Sequence, residues 1–408
     1  MLIKIAIFLC SVSLIFPRYF FDIPFFPSDF CAIILLIFLI PRKIKPADVS
    51  IIWMITAFLL LCFISLTYVD GLNPEGDNLR RFLRYVAVFS VAYIVLTARD
   101  VELLTEKHLF RTVVAFGGVA IGIGALGFGL QIEGLVATQS YWYPGFGLMF
   151  RAGGVFENSG PYGAMAVLLL AISLVELGKG EDQAWSIFGV LAGAIGIGLS
   201  ASRTGIFVLV MFLFAAMLVS PKRSFYVRIT LILFGIAALV TLTFPKLLDY
   251  FYERYWLELG RYFFEGGQLD TFTRRGLSWE ATLQRFLNQD MFTILFGEGI
   301  NSLGRGDLFN IAMQSADNQY LSVLVENGLI GWSIVTGLIV TIFWRLISNI
   351  ESRDTGLVWF AICVCGMFGD IFSYPAVFSI ALIYVLSALK WANIRNNNKN
   401  VNHSTSYA

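Results

Sequence analysis

The stretch Ser315–Trp332 reads SADNQYLSVLVENGLIGW. Asp317 and Asn318 stand directly before a helical pattern, Tyr320, Leu321, Leu324 and Val325, and a Gly-Leu-Ile-Gly step then opens an apolar run over 329–347. A helix needs about 17–25 mainly apolar residues to cross a bilayer, so this run has the length of one span. An acid and an amide at the mouth of a span require a reason, because polar groups near the membrane are costly and tend to be functional.

Similar apolar runs recur along the chain. Its 408 residues are 57% hydrophobic and 14% charged, with 38 Phe, and its mean hydropathy is +0.74. A soluble domain is about 45–50% apolar and about 25% charged. The runs do not alternate as membrane strands do. The expected fold is an all-α polytopic membrane protein of about twelve transmembrane helices, with approximate limits 2–17, 24–40, 49–68, 79–97, 111–131, 160–178, 185–201, 204–220, 225–245, 329–347, 356–370 and 374–391. The first run, with Lys4 in front, has the look of a signal peptide, but FPRYFFDIPF follows it in place of a small-x-small cleavage site, so it is read as a retained span.

Lys and Arg set the orientation. With the N-terminus inside, the cytoplasmic connections collect Arg42, Lys43 and Lys45, then Arg99, Lys107 and Arg111, then Lys179, then Lys222, Arg223 and Arg228, then Arg345 and Arg353. Both termini are therefore expected in the cytoplasm. The expected organisation is helices 1–9 over 1–245, a large outer loop with amphipathic helices over 246–316, an outer half-helix with helices 10–12 over 317–391, and a polar tail without regular structure over 392–408. The net charge of +1 gives no sign of a nucleic-acid partner, and the five cysteines all lie in apolar runs, as small buried residues do. Only two histidines occur, His108 in a cytoplasmic connection and His403 in the tail; neither an Asp-x-Asp pair nor a P-loop is present. No metal and no cofactor is expected.

Against this orientation, Arg80, Arg81, Arg84, Arg151 and Arg203 fall at the outer ends of spans. Arg203 occupies a Ser-Arg-Thr-Gly step between two spans, with Ser200, Ser202 and Thr204 around it. It reads either as an arginine reaching lipid phosphates or as a planar fork that binds phosphate through two hydrogen bonds. In FRAGGVFENSGPYGA, Arg151, Glu157, Asn158 and Ser159 gather just before a helix start at Pro161; a helix cap is the plainer reading of the latter group. Arg80 or Arg81 shares a helix face with Arg84, a repulsion that calls for an anion between them, unless the cluster simply meets lipid headgroups. In the loop, Arg275 and Trp279 are four apart, and Trp279, Leu283 and Phe286 make an apolar stripe; aromatic rings there suit the membrane interface or a sugar face. Asp317 reads as a helix N-cap or as a carboxylate beside an arginine-rich outer cavity.

Four pieces in this order, GGVFENSGPYGAM, LSASRTGIF, the Arg275–Trp279 step followed by LFGEGI, and DNQYLSVLVENGLIG, resemble the bacterial O-antigen polymerase and ligase superfamily over most of the chain. The resemblance implies an outer, periplasmic active face on the bacterial inner membrane. It also implies a donor glycan on undecaprenyl diphosphate. The ligase branch has His-Asn where this chain has Asp317-Asn318, and that His is regarded as its base; the departure favours the polymerase branch. The expected activity is a metal-independent glycosyl transfer joining lipid-linked repeat units into O-antigen or a related surface polysaccharide. Arg203 and Arg275, supported by Arg151, Arg81 and Arg84, would face the diphosphate. Asp317, then Glu157, would serve as base. Asn318, Tyr320, Asn158 and Trp279 would contact glycan or acceptor. Expected partners are the lipid-linked donor and acceptor, inner-membrane lipids and a chain-length-regulating membrane protein. The alternatives are a ligase acting on lipid A-core and, in a different class, a lipid-linked glycan flippase, which commonly shows matched repeats and broken helices at the midplane.

Overall fold

The computed structural model describes residues 2–12, 46–70, 76–97, 106–143, 147–156, 159–180, 182–243, 270–300, 302, 318–369 and 375–405. The helices are α1 (Leu2–Val12), α2 (Pro46–Asp70), α3 (Gly76–Thr97), α4 (Glu106–Leu130), α5 (Ser159–Lys179), α6 (Gln183–Ser200), α7 (Arg203–Val219), α8 (Arg223–Thr243), α9 (Asp270–Leu287), α10 (Met291–Phe296), α11 (Gln319–Ser348), α12 (Arg353–Gly366) and α13 (Pro375–Thr405). Among the described residues, six helical stretches are long and apolar enough to cross a membrane: Asp48–Thr67, Glu106–Leu130, Ser159–Lys179, Gln183–Ser200, Gln319–Ser348 and Ala376–Ile394, and Arg203–Val219 is a shorter apolar helix. Helices also occupy the expected span 79–97 and much of 2–17, 225–245 and 356–370; the expected span 24–40 lies outside the described residues.

Why these segments assemble follows from where they are apolar. α5 and α13 are almost wholly enclosed, whereas α2, α4, α6 and α11 bury one face and turn the other outward. The outward faces carry Trp53, Leu60 and Phe63 on α2, Phe214 and Leu218 on α7, and Leu231 and Phe234 on α8. Apolar surface this extensive suits acyl chains and not water. α5 lies against α6, α7 and α12, and α13 against α3 and α1.

Ion pairs tie one end of the bundle. Lys179 Nζ meets Glu176 at 2.7 Å and also Glu106 at the start of α4; Tyr384 of α13 donates to Glu176 at 2.6 Å. Arg111 and Lys107 bracket Asp182 in the α5–α6 turn. At the same end Arg345 of α11 donates to Ser50 of α2 at 2.8 Å. Since α2 and α11 run antiparallel, the other end holds the start of α11, the start of α3 and the last turns of α2.

At that second end α11 is not continuous. Gly328 has φ 65° and ψ −172°, separating a half-helix, 319–327, from the long apolar segment after it. The break deprives the carbonyls of Val325 and Glu326 of their normal donors four residues on. The loop after α10 supplies replacements: Glu298 N–H donates to Val325 O at 2.8 Å and Gly299 N–H to Glu326 O at 3.2 Å. The backbones cross so closely that a Cβ at Gly297 (φ 90°) would sit 2.3 Å from Glu326 O, and one at Gly328 would sit 2.3 Å from Leu295 O. Both glycines are needed for space and for backbone conformation.

Two features depart from expectation. An antiparallel hairpin, β1 (Val136–Tyr143) with β2 (Gly147–Ala152), follows α4, pairing Val136 with Ala152 and Tyr143 with Gly147. The tail expected to lack structure is helical to Thr405; neither Gly nor Pro follows Pro375 to stop a helix, and each added residue extends an existing ladder at little cost.

Gly328→Ala and Gly297→Ala should each lower the unfolding midpoint of detergent-solubilised protein, since a side chain in such a backbone alone costs about 1–3 kcal/mol. Gly235→Ala on α8, which has nothing within 4 Å of its Cβ position, should be neutral or stabilising by up to about 1 kcal/mol. Equal midpoints for the three variants would contradict the crossing.

Candidate functional site

The arginine-bearing elements converge on the end where α11 is broken. The α6–α7 connection is two residues long. Ala201 is left-handed (φ 46°) and closes α6 by donating to Gly198 O; Ser202 caps α7, its hydroxyl accepting from Gly205 N–H at 3.1 Å. Ser200 donates to Ile197 O at 2.8 Å and accepts from Ser202 N–H. Two of the three hydroxyls expected around Arg203, those of Ser200 and Ser202, thus build the turn, and Arg203 is the first helical residue of α7, half-buried. Gly163, in the first turn of α5, lets this turn approach: a Cβ there would meet Ser202 at 2.9 Å. The motifs GPYGA and LSASRTG are therefore in contact.

Arg151 is half-buried on β2. Its neighbour Phe150 is pinned by Gln131, whose Oε1 accepts from Phe150 N–H at 2.9 Å while its Nε2 donates to Phe128 O at 2.6 Å. Tyr162 donates to Ile121 O at 2.9 Å, which fixes the start of α5 against α4. Glu157 and Asn158, expected between these elements, lie outside the described residues.

The half-helix 319–327 is capped by Asn318, whose Oδ1 accepts from Tyr320 N–H at 2.9 Å and Leu321 N–H at 3.2 Å. The cap considered for Asp317 thus falls one residue later, on a side chain expected to contact glycan. Asp317 lies outside the described residues. Tyr320 donates its hydroxyl to Cys363 O at 3.0 Å; it fastens the half-helix to α12, and this bond occupies the proton that a glycan contact would use.

α9 carries Trp279 against Phe368 at 6.1 Å, and Phe207, one turn after Arg203, meets the same ring edge-on at 5.4 Å. Trp279 is half-buried and bears on this contact. Arg275 is on α9 one turn earlier; its side chain is not described. α9 is locked to the crossing loop by Arg285, whose Nε donates to Glu298 Oε1 at 3.0 Å and whose terminal nitrogen meets Oε2, with Gln289 donating to Oε1 at 3.0 Å.

The residue that sequence reasoning missed is Glu326. Its buried carboxylate lies 2.9 and 3.1 Å from Arg81 Nε and accepts from Tyr85 at 2.9 Å. Arg81 also lies 5.6 Å from the Tyr85 ring centre, which Phe58 meets edge-on. Beside it, Cys62 of α2 donates to Asn327 Oδ1 at 3.3 Å. The anion that Arg81 calls for is thus supplied from within the protein, so the side of its fork facing Glu326 is closed to a ligand. Arg84 follows three residues later on the same helix face, half-buried. The available signal was an ionisable residue within an apolar run, which implies a buried partner.

Residues 188–336 match the family model described as O-antigen ligase. No curated protein matches the chain. The matched segment takes in Arg203, α9, α10, the crossing loop and the part of α11 that holds the break, whereas α3 and the hairpin lie before it. The match supports the O-antigen polymerase and ligase superfamily, an enzyme of surface-glycan assembly and a multi-pass membrane protein.

Arg81→Met or Glu326→Met alone leaves one buried charge uncompensated, a loss of about 3–5 kcal/mol. The double variant removes both charges and should cost less than either single change in thermal unfolding in detergent. Additive losses would show that the two side chains do not share one interaction.

Proposed function

We propose that the protein is a metal-independent glycosyltransferase that polymerises undecaprenyl-diphosphate-linked repeat units into O-antigen or a related surface polysaccharide on the periplasmic face of the inner membrane. The observation that carries the polymerase reading is Asp317 ahead of the capping Asn318, where the ligase branch has His. The match to a model described as O-antigen ligase keeps transfer to lipid A-core as the second reading.

In the proposed reaction an acceptor hydroxyl attacks the anomeric carbon of the lipid-linked donor. The bond from that carbon to the diphosphate oxygen breaks, and the electron pair leaves with the diphosphate. Arg203 and Arg275 would take up the growing charge, with Arg151 and Arg84 in support, because fixed guanidinium forks stabilise charge with little reorganisation. Arg81 is assigned to Glu326 instead. Asp317 would accept the proton of the attacking hydroxyl, with Glu157 as second candidate. The short turn supports this reading for Arg203: the backbone bonds of Ser200 and Ser202 fix the first turn of α7 and so set where its side chain leaves the helix.

Purified protein in liposomes, given a lipid-diphosphate-linked repeat unit as sole substrate, should yield a ladder of longer glycans still on the lipid carrier. Arg203→Ala and Arg275→Ala should each slow elongation by about 100- to 1,000-fold, and Asp317→Asn should be graded. Transfer only after lipid A-core is added would overturn the polymerase reading, and full-rate ladders from Arg203→Ala would overturn the clamp.

A further inference from the structure

α10 is six residues long, and none of them is buried. Asp290 caps it, its carboxylate accepting from Phe292 N–H at 2.9 Å and Thr293 N–H at 3.1 Å, and the Thr293 hydroxyl bond chiefly holds this carboxyl below its usual range. A charged residue therefore opens a helix whose own surface is apolar. Met291 is 70% exposed, Phe292 51%, Leu295 and Phe296 36% each. The end of α9 extends the patch with Leu283 at 41% and Leu287 at 61%, one turn apart. The buried residues of α9, Thr282 and Phe286, define a different face, with Phe286 against Leu324 and Val325 of the half-helix. A third face, Glu280 and Gln284, continued by Asn288 just past the helix end, is polar and exposed. α9 thus separates a protein-facing, a polar and an outward apolar stripe.

The patch has a fixed position. The Gly297–Gly328 crossing sets the end of α10 beside the point where the long apolar part of α11 begins. The next residues of α11, Leu329, Ile330 and Trp332, are themselves exposed and open one of the stretches long enough to span a membrane. The apolar surface of α10 is therefore continuous with the outward surface of a span. Six side chains, Leu283, Leu287, Met291, Phe292, Leu295 and Phe296, fall well short of the about 20–30 residues a side that a stable protein interface uses. A bilayer imposes no such minimum, and short amphipathic segments bury their apolar face at the boundary of headgroups and acyl chains.

We infer that α10 and the end of α9 form an interfacial anchor, seated in the leaflet at this end of the bundle with the Asp290 end toward water, and that this seat sets the depth of the helix break at Gly328. The inference is independent of which glycan reaction the protein performs.

Nitroxide labels at Met291→Cys, Phe292→Cys and Asn288→Cys in full-length protein, reconstituted in phosphatidylcholine vesicles, test it by power saturation. The unsubstituted protein, labelled in parallel, gives the background from its five cysteines. Labels at 291 and 292 should be reached severalfold better by oxygen than by a water-soluble nickel chelate, and the label at 288 should show the reverse. Equal chelate access at 291, 292 and 288 would overturn the anchor by placing α10 in water. Shielding of 291 and 292 from both reagents would overturn it by showing that a second copy covers the patch.

Discussion

The crossing of two backbone segments at Gly297 and Gly328 is the constraint on which the rest of the broken end depends. A membrane helix cannot stop at the mouth of a span without leaving carbonyls unbonded, and an unsatisfied group there costs several kcal/mol. The amides of Glu298 and Gly299 meet that demand, and only residues without a Cβ allow the approach. The break therefore requires the loop after α10, and that loop gains a fixed point on the bundle.

From that point positions propagate outward. Glu298 carries Arg285 and with it α9, so Trp279 comes to Phe368 and, through it, to the first turns of α7 beyond Arg203. On the other side of the break Glu326 holds Arg81 and Tyr85, bringing in α3. Buried ion pairs are weak devices for stability and are better attested as devices of register. Here one pair fixes the half-helix that begins at Asn318. The opposite end has its own ionic seam around Lys179, Glu176 and Asp182.

Much of the architecture was legible from apolar run length. The half-helix followed by a span at 329 could be read from Tyr320, Leu321, Leu324 and Val325 and the Gly-Leu-Ile-Gly step. The hairpin was not legible from run length, because its strands pair with each other and are held in place through Gln131 to Phe150 and through Leu135 O to Gly153 and Gly154, contacts that leave no periodic mark in the sequence. That Arg81, Arg84, Arg151 and Arg203 fall at span ends could be read from charge placement. Their partners could not: Arg81 and Glu326 are 245 residues apart, and no local spacing encodes such a contact. Likewise Tyr320 was expected to contact glycan or acceptor, and Ser200 and Ser202 stood around Arg203 in sequence, but each hydroxyl bonds a backbone group. Backbone demands at turns and helix starts outrank side-chain chemistry wherever burial removes water as the alternative.

The most direct measurement is amide hydrogen exchange on the reconstituted protein, resolved to Glu298 and Gly299. The crossing predicts that both amides exchange as slowly as those within the apolar part of α11 and become fast in Gly328→Ala. Rapid exchange at both positions in the unsubstituted protein would mean that the loop does not brace the break, and the positions derived from it for α9, α3 and the half-helix would fall with it.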